Sequence, residues 1–214
     1  MTVNRVMTHN PFTVRTDTPV ADAQALMRRE KIHRLPVLDN HKNLVGIVSE
    51  KDLLYASPSP ATTLNVYEMS NLLGKLTVSE VMTKEVYTVD PETLIEDAAR
   101  IMVDDNIGGI PVVRDGHVVG IVTESDIFKQ FIELFGTRRK GIRCTLLIPE
   151  AVGELASLAS AIANRGGNII SLGTFPGEDP TNALATLKVE GIDREVLVEA
   201  CSPFVEEVLD IRET

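Results

Sequence analysis

Apolar residues run along the chain in short blocks separated by polar turns, and the blocks carry two different periods. Val20 to Arg29 and Ile95 to Asp104 space their apolar residues as one face of a helix. Thr18-Pro19 starts the first of these, and the box Thr93-Leu94-Ile95-Glu96 reads as the N-terminal cap of the second. Leu35 to Leu38 and Leu44 to Val48, then Ile110 to Val113 and Val118 to Val122, are almost wholly apolar blocks joined by turns rich in Asp, Asn and Gly. They read as two β-hairpins whose strands are covered on at least one face by neighbouring helices. Each hairpin runs directly into another helix, beginning after Ser49 and after Thr123.

The two sets of elements are one unit written twice. At an offset of 75, Val6-Met7-Thr8 aligns with Val81-Met82-Thr83, Asp22-Ala23 with Asp97-Ala98, Met27 with Met102 and Pro36-Val37 with Pro111-Val112. One residue is lost in the hairpin turn, and at an offset of 74 Val45-Gly46-Ile47-Val48 matches Val119-Gly120-Ile121-Val122. The domain boundaries this predicts are repeat one over 1–55, a linker and connecting helix over 56–77, and repeat two over 78–136. The linker is the Pro- and Ser-rich stretch 56–63, and the helix covers Leu64 to Leu76.

Residues 137–214 do not match the repeat. Ile142 to Ile148 reads as a strand, and Gly153 to Asn164 as a helix with Leu155, Leu158, Ala159 and Ile162 on one face. Gly166-Gly167 stops that helix. Ile169 to Phe175 and Ala183 to Val189 form a hairpin, Glu195 to Cys201 a helix and Val205 to Ile211 a last strand. The order βαββαβ is the ferredoxin-like split unit, so the fold class expected for the chain is α/β (α+β).

Composition narrows the function classes. The 214 residues are 43% hydrophobic and 24% charged, the balance of a folded globular chain. A net charge of −10 has the wrong sign for phosphate backbones or anionic lipid, so neither nucleic acid nor a membrane surface is an expected partner. Aromatic residues make up 4%, too few for base-stacking platforms. No apolar run has the length of a membrane span and the first residues lack a signal-peptide core, which points to a cytoplasmic protein. Cys144 and Cys201 have neither metal-ligand nor disulfide-framework spacing and read as reduced, buried hydrophobes. His9, His41 and His117 fall in the N-terminal segment and the hairpin turns, forming no i, i+4 pair, so no metal site is expected.

The recurring Ser49-Glu50-Lys51-Asp52 and Thr123-Glu124-Ser125-Asp126 place a hydroxyl and a carboxylate three residues apart around a helix start. Two readings fit. The hydroxyl and backbone N–H groups can meet phosphate while the carboxylate accepts from ribose hydroxyls. Equally, Ser/Thr-x-x-Asp is a capping box that satisfies the helix's own first donors.

These residues resemble the CBS domain, and the pair resembles a tandem CBS (Bateman) module. Val-Met-Thr near each start, the Pro-Val entry to each hairpin and Gly-Ile-Val-Ser/Thr-x-x-Asp after it carry the resemblance over residues 1–130. It implies two clefts for adenosine-containing ligands, AMP, ADP or ATP, with S-adenosylmethionine or NAD as further candidates. Ser49 and Thr123 then stand near phosphate or ribose, Asp52 and Asp126 on the ribose hydroxyls, and Pro36 and Pro111 at the cleft. The copies differ where His33-Arg34 faces Gly108-Gly109 in the alignment. Arg34 has the fork of donors to hold a second or third phosphate and Gly109 does not, although His33 and Arg34 also read as a solvated helix end.

Residues 140–212 resemble an ACT domain through Pro149 to Leu155 and Gly167 to Leu172. That resemblance implies Gly153, Asn168 and Ile169 as positions for an amino acid or other small effector at an interface between two copies. Val152 stands where ligand-binding members often carry Pro, and Gly153 and Asn168 also read as a tight turn and a loop-closing polar residue. CBS pair followed by ACT is the arrangement of the acetoin-utilisation protein B (AcuB) family, which the whole chain resembles. The resemblance implies a non-catalytic, homodimeric regulator, paired through its CBS and ACT faces and acting on an unknown protein. The rival reading is a ligand-independent dimeric scaffold. An enzyme ranks third, since the sequence shows neither a nucleophile–base set nor a phosphate-binding P-loop.

Overall fold

A computed structural model describes residues 1–56 and 76–214. Except for Ala56, Leu76 and Thr77, the expected linker and connecting helix lie outside the described residues. The chain divides into two compact units, Met1–Ile127 and Phe128–Thr214.

In the first unit, β1 (Thr8–His9) and β2 (Val14–Arg15) precede α1 (Val20–Glu30), β3 (Arg34–Leu38), β4 (Leu44–Ser49) and α2 (Glu50–Tyr55). After the undescribed stretch come α3 (Val78–Val81), α4 (Ile95–Asp104), β5 (Gly109–Arg114), β6 (His117–Thr123) and the first residues of α5 (Glu124–Leu134), whose remainder from Phe128 belongs to the second unit. The strands form two three-stranded sheets, β2-β3-β4 and β1-β6-β5. Both expected hairpins are present, with Leu35 opposite Val48 and Ile110 opposite Val122.

The packing units are offset from the repeats of the sequence. One core gathers Val20, Ala23, Met27, Leu35, Val37, Val48 and Leu53, and completes itself with Val78 from the start of the other repeat. The second gathers Ala98, Met102, Ile110, Val112 and Val122, and takes Val3 and Met7 from the beginning of the chain. The backbone follows the same exchange. β1 pairs antiparallel with β6, so Thr8 lies opposite Ile121, and Thr83 bridges Ile47. Val20 N–H donates to Leu76 O at 2.9 Å, and Ile95 N–H to Met1 O at 3.1 Å.

That exchange corrects the expected cap at Thr93. Leu94 is held extended by a bridge to Thr2 and becomes the N-cap of α4, with no side-chain cap bond. The incoming backbone satisfies the Ile95 N–H, and Thr93 N–H is taken by Asp90 O, the group a Glu96 side chain would otherwise have served. A reciprocal box forms instead at Thr77 and Glu80, before α3.

The exchange also explains why Val-Met-Thr and Gly-Ile-Val recur together. A β-carbon on Gly120 would collide with the Met7 sulfur, and one on Gly46 would collide with the Met82 sulfur and lie 3.1 Å from Thr83 O. Each methionine fills the notch left by the other repeat's glycine. Gly120→Ala should therefore destabilise the protein by about 1–3 kcal/mol in chemical denaturation. Shortening Met7 in the same chain should make the combined loss smaller than the sum of the two single losses, by about 0.5–3 kcal/mol. Strict additivity would show that this contact is not the cause.

The second unit contains β7 (Ile142–Pro149), α6 (Glu154–Asn164), β8 (Asn168–Pro176), β9 (Asn182–Glu190), α7 (Arg194–Cys201) and β10 (Glu207–Glu213). The sheet order is β10-β7-β9-β8, antiparallel throughout, the split βαββαβ arrangement read from the sequence. Alternate residues Ile142, Cys144, Leu146 and Ile148 meet Leu158, Ile162, Leu197 and Cys201 in one core. The last strand begins two residues later than expected, because a tight turn at Ser202–Phe204 precedes it and Glu206 N–H reaches Leu147 O. Cys144 and Cys201 are free and buried in this core, and desolvation pushes their thiols up to about 12 and about 11. Both are held neutral and unreactive at physiological pH.

Candidate functional site

A cavity of about 400 Å³ opens in the first unit, bordered by Arg34 from β3, Ser49 at the end of β4, Asp52 on α2 and Gly108 beside β5. It thus collects residues from both repeats, within the size range of small-molecule sites.

At its edge Ser49 and Asp52 form a reciprocal capping box. Ser49 donates to Asp52 Oδ2 from its N–H at 2.8 Å and from Oγ–H at 2.7 Å, while Asp52 N–H donates to Ser49 Oγ at 3.2 Å. Thr123 N–H and Oγ–H donate to Asp126 Oδ2 at 3.0 and 2.7 Å in the second repeat. The full capping box is thus realised at Ser49, and the carboxylate half of it at Thr123, so that at each place the hydroxyl and one carboxylate oxygen are fixed in orientation. Asp126 is buried and Asp52 half-buried.

Arg34 is the cavity's outstanding charge. Its side chain lies across the second repeat's glycines, where a β-carbon on Gly108 would meet the guanidinium and one on Gly109 would lie 3.2 Å from Arg34 Cδ. The difference seen in the alignment is thus a single contact. Among the described residues no hydrogen bond or ion pair fixes the Arg34 guanidinium, although Glu124 Oε2 lies beside it, 2.6 Å from where a β-carbon on Gly108 would stand. His33 also borders the cavity, but its Nδ1 is 2.7 Å from Glu50 Oε2 and the imidazole is held there.

Pro36 and Pro111 do not border the cavity. Both are buried within β3 and β5, opposite Ile47 and Ile121. Sequence reasoning in turn missed Thr83 and Tyr87, which border the cavity. The Tyr87 ring is 51% exposed, and its hydroxyl donates to Asp105 Oδ1 at 2.6 Å, which raises the phenol above its usual range. Phe12, also exposed, holds the corresponding place in the first copy of the repeat. A solvent-facing aromatic at the same repeat position was the available signal.

A CBS-domain model matches residues 3–59 and 78–133, more than half of the chain. The chain belongs to the CBS-domain family. A CBS domain-containing protein of Dictyostelium discoideum is 34% identical over 62% of this chain and 92% of its own length. An inosine-5′-monophosphate dehydrogenase of Nitrosopumilus maritimus is 27% identical over 86% of this chain, which spans only 35% of that enzyme. Among solved structures, a Vibrio cholerae protein described as an acetoin utilization protein (AcuB) is 33% identical with a TM-score of 0.53, covering 64% of this chain and 95% of that one. A CBS-domain pair crystallised with 5′-methylthioadenosine and S-adenosyl-L-methionine is 29% identical, with a TM-score of 0.52 over 65% of this chain and 98% of its own. The protein CBSX2 in complex with AMP is 33% identical, with a TM-score of 0.53 over 62% and 97% of the two chains.

In the second unit, Gly153 is an exposed residue with φ +95° at the start of α6, a conformation that suits glycine. Asn168 opens β8, and its Nδ2 donates to Glu190 Oε1 at 2.7 Å. Ile169 packs against the core. Asn168 lies opposite Glu190, at the sheet end where Ile142 begins β7, whereas Gly153 follows the far end of β7 at Pro149. The strand's length, about 25 Å for its 8 residues, separates them, so one copy of the chain does not bring them together.

No described helix is long and apolar enough to cross a membrane. No group of His, Cys, Asp and Glu among the described residues is placed to hold a metal ion.

Proposed function

We propose that this CBS-domain protein is a non-catalytic cytoplasmic regulator that takes an adenosine-containing nucleotide between its repeats. The observation that carries the reading is the Arg34 guanidinium across from the oriented Ser49–Asp52 pair, in a cavity sized for a nucleotide. Neighbours of the same fold crystallised with AMP and with S-adenosyl-L-methionine support the adenosine part. In this reading Asp52 and Asp126 accept from ribose hydroxyls, Ser49 and Thr123 serve the phosphate side, and AMP, ADP or ATP is the ligand, with S-adenosylmethionine and NAD as competitors. The second unit acts as an ACT domain that pairs with its counterpart in a homodimer and passes the nucleotide state to a regulated protein. The likeness to AcuB supports a role in acetoin utilisation.

A ligand-independent scaffold is the second reading. It is favoured by the bonds within each Ser/Thr–Asp pair, a full capping box at Ser49–Asp52 among them, which form without a ligand.

Arg34 separates ligands by phosphate number. The first-repeat cavity should prefer ADP or ATP over AMP, and Arg34→Ala should lower ATP affinity roughly tenfold to a hundredfold while leaving AMP nearly unchanged. Equal losses for AMP and ATP in calorimetry would assign Arg34 to packing or to the first phosphate.

A further inference from the structure

The second unit buries a charge that the proposed function does not use. Lys188 on β9 is 3% exposed, and among the described residues its ammonium donates one hydrogen bond, to Gly136 O at 3.2 Å. An ammonium has three donors, and a buried charge left without a counter-ion is costly. Ala183, Ala185, Leu187 and Val189 belong to the core, so alternation sets Thr186 and Lys188 on the opposite face of the sheet.

On that face a cavity of about 450 Å³ opens, bordered by Lys188, Arg143, Thr186, Phe131, Phe135 and Phe175. Three of the chain's six phenylalanines therefore border it. Phe131 and Phe135 pack with ring centroids 4.6 Å apart, and Phe175 remains 47% exposed. The second cation is already balanced, since Arg143 Nη1 donates to Asp210 Oδ2 and to Thr145 Oγ1, both at 3.2 Å. The site thus combines one uncompensated positive charge with an aromatic wall. No Asp or Glu borders the cavity, so no side-chain carboxylate there would receive an α-ammonium group, although Thr137 and Thr214 also border it. Gly153, Asn168 and Ile169 do not border it either.

We propose that this cavity binds a small monocarboxylate with an apolar body, its carboxylate on the Lys188 ammonium and its body against the phenylalanine rings. The charge selects an anion, the rings select an apolar group, and the lack of an acidic partner selects against amino acids.

The test titrates the full chain with phenylacetate, 2-phenylethanol and phenylalanine, read by calorimetry and by amide chemical shifts. Phenylacetate should bind at roughly millimolar or tighter, shifting amides near Phe135 and Lys188. The neutral alcohol and the amino acid should bind about tenfold more weakly or worse, and Lys188→Met should cost phenylacetate at least about tenfold. Phe175→Ala, on the exposed wall, should weaken phenylacetate in a folded protein even if Lys188→Met fails to fold. Absence of phenylacetate binding, equal binding of the alcohol, undiminished binding by a folded Lys188→Met protein or undiminished binding after Phe175→Ala would each overturn the proposal. The ammonium would then serve only to hold the Gly136 carbonyl.

Discussion

A chain ending at residue 56 should not fold, although it contains one complete copy of the sequence repeat. Its core would lack Val78, which is fully buried, and the packing of Leu76, Val81 and Met82. Val3 and Met7 would meanwhile lose the core they enter in the full chain. Each fully buried aliphatic side chain contributes about 1.5–3 kcal/mol, and a domain's whole stability is about 5–15 kcal/mol. Three buried side chains, Val78, Val3 and Met7, and three partly buried ones then lose their packing, enough to exhaust the lower end of that margin. A chain of 1–136, which keeps both cores, should show cooperative thermal unfolding by circular dichroism, whereas 1–56 should show none. Cooperative melting of 1–56 would mean that each repeat completes its own core and that the exchange of N-terminal segments is dispensable.

Asp52→Asn and Asp126→Asn should each weaken nucleotide binding at their own cleft by roughly tenfold to over a hundredfold, because a hydrogen bond to a charged acceptor contributes about 1.5–3 kcal/mol. The amide retains an oxygen for the cap, so the cost to stability should stay near or below about 1 kcal/mol. Asp52→Ala removes both functions and should lower the melting temperature as well. The contrast between the variants separates a cap from a ligand contact. Loss of stability in the alanine variant with unchanged affinity in both would make these carboxylates helix caps alone.

The repeat was legible because the same apolar pattern is encoded twice, and the hairpins because their strands are continuous apolar blocks between Asp-, Asn- and Gly-rich turns. The partners of those blocks were not. Alignment of Met7 with Met82 reports likeness, whereas the structure seats Met7 against Gly120 and Met82 against Gly46, a relation between copies that no alignment displays. For the same reason Ser49, Asp52 and Arg34 were found while Thr83 and Tyr87 were missed: they enter the cavity from the segment that begins the other repeat. Pro36 and Pro111 stood out as part of a recurring motif, and both lie buried in strands of the hairpins. Lys188 lay within a block read as an apolar strand, and its position on the alternate face, with Leu184 and Thr186, was the sign that β9 has a second surface.

The central claim is that the cleft between the repeats takes an adenosine-containing ligand. The most direct measurement is calorimetric titration of the full chain with AMP, ADP, ATP, S-adenosylmethionine and NAD, repeated on Asp52→Asn. The account predicts saturable binding of at least one of these at roughly micromolar affinity, weakened about tenfold or more in the variant. No saturable binding of any of the five at roughly millimolar ligand, or binding that Asp52→Asn, Asp126→Asn and Arg34→Ala all leave unchanged, would contradict it.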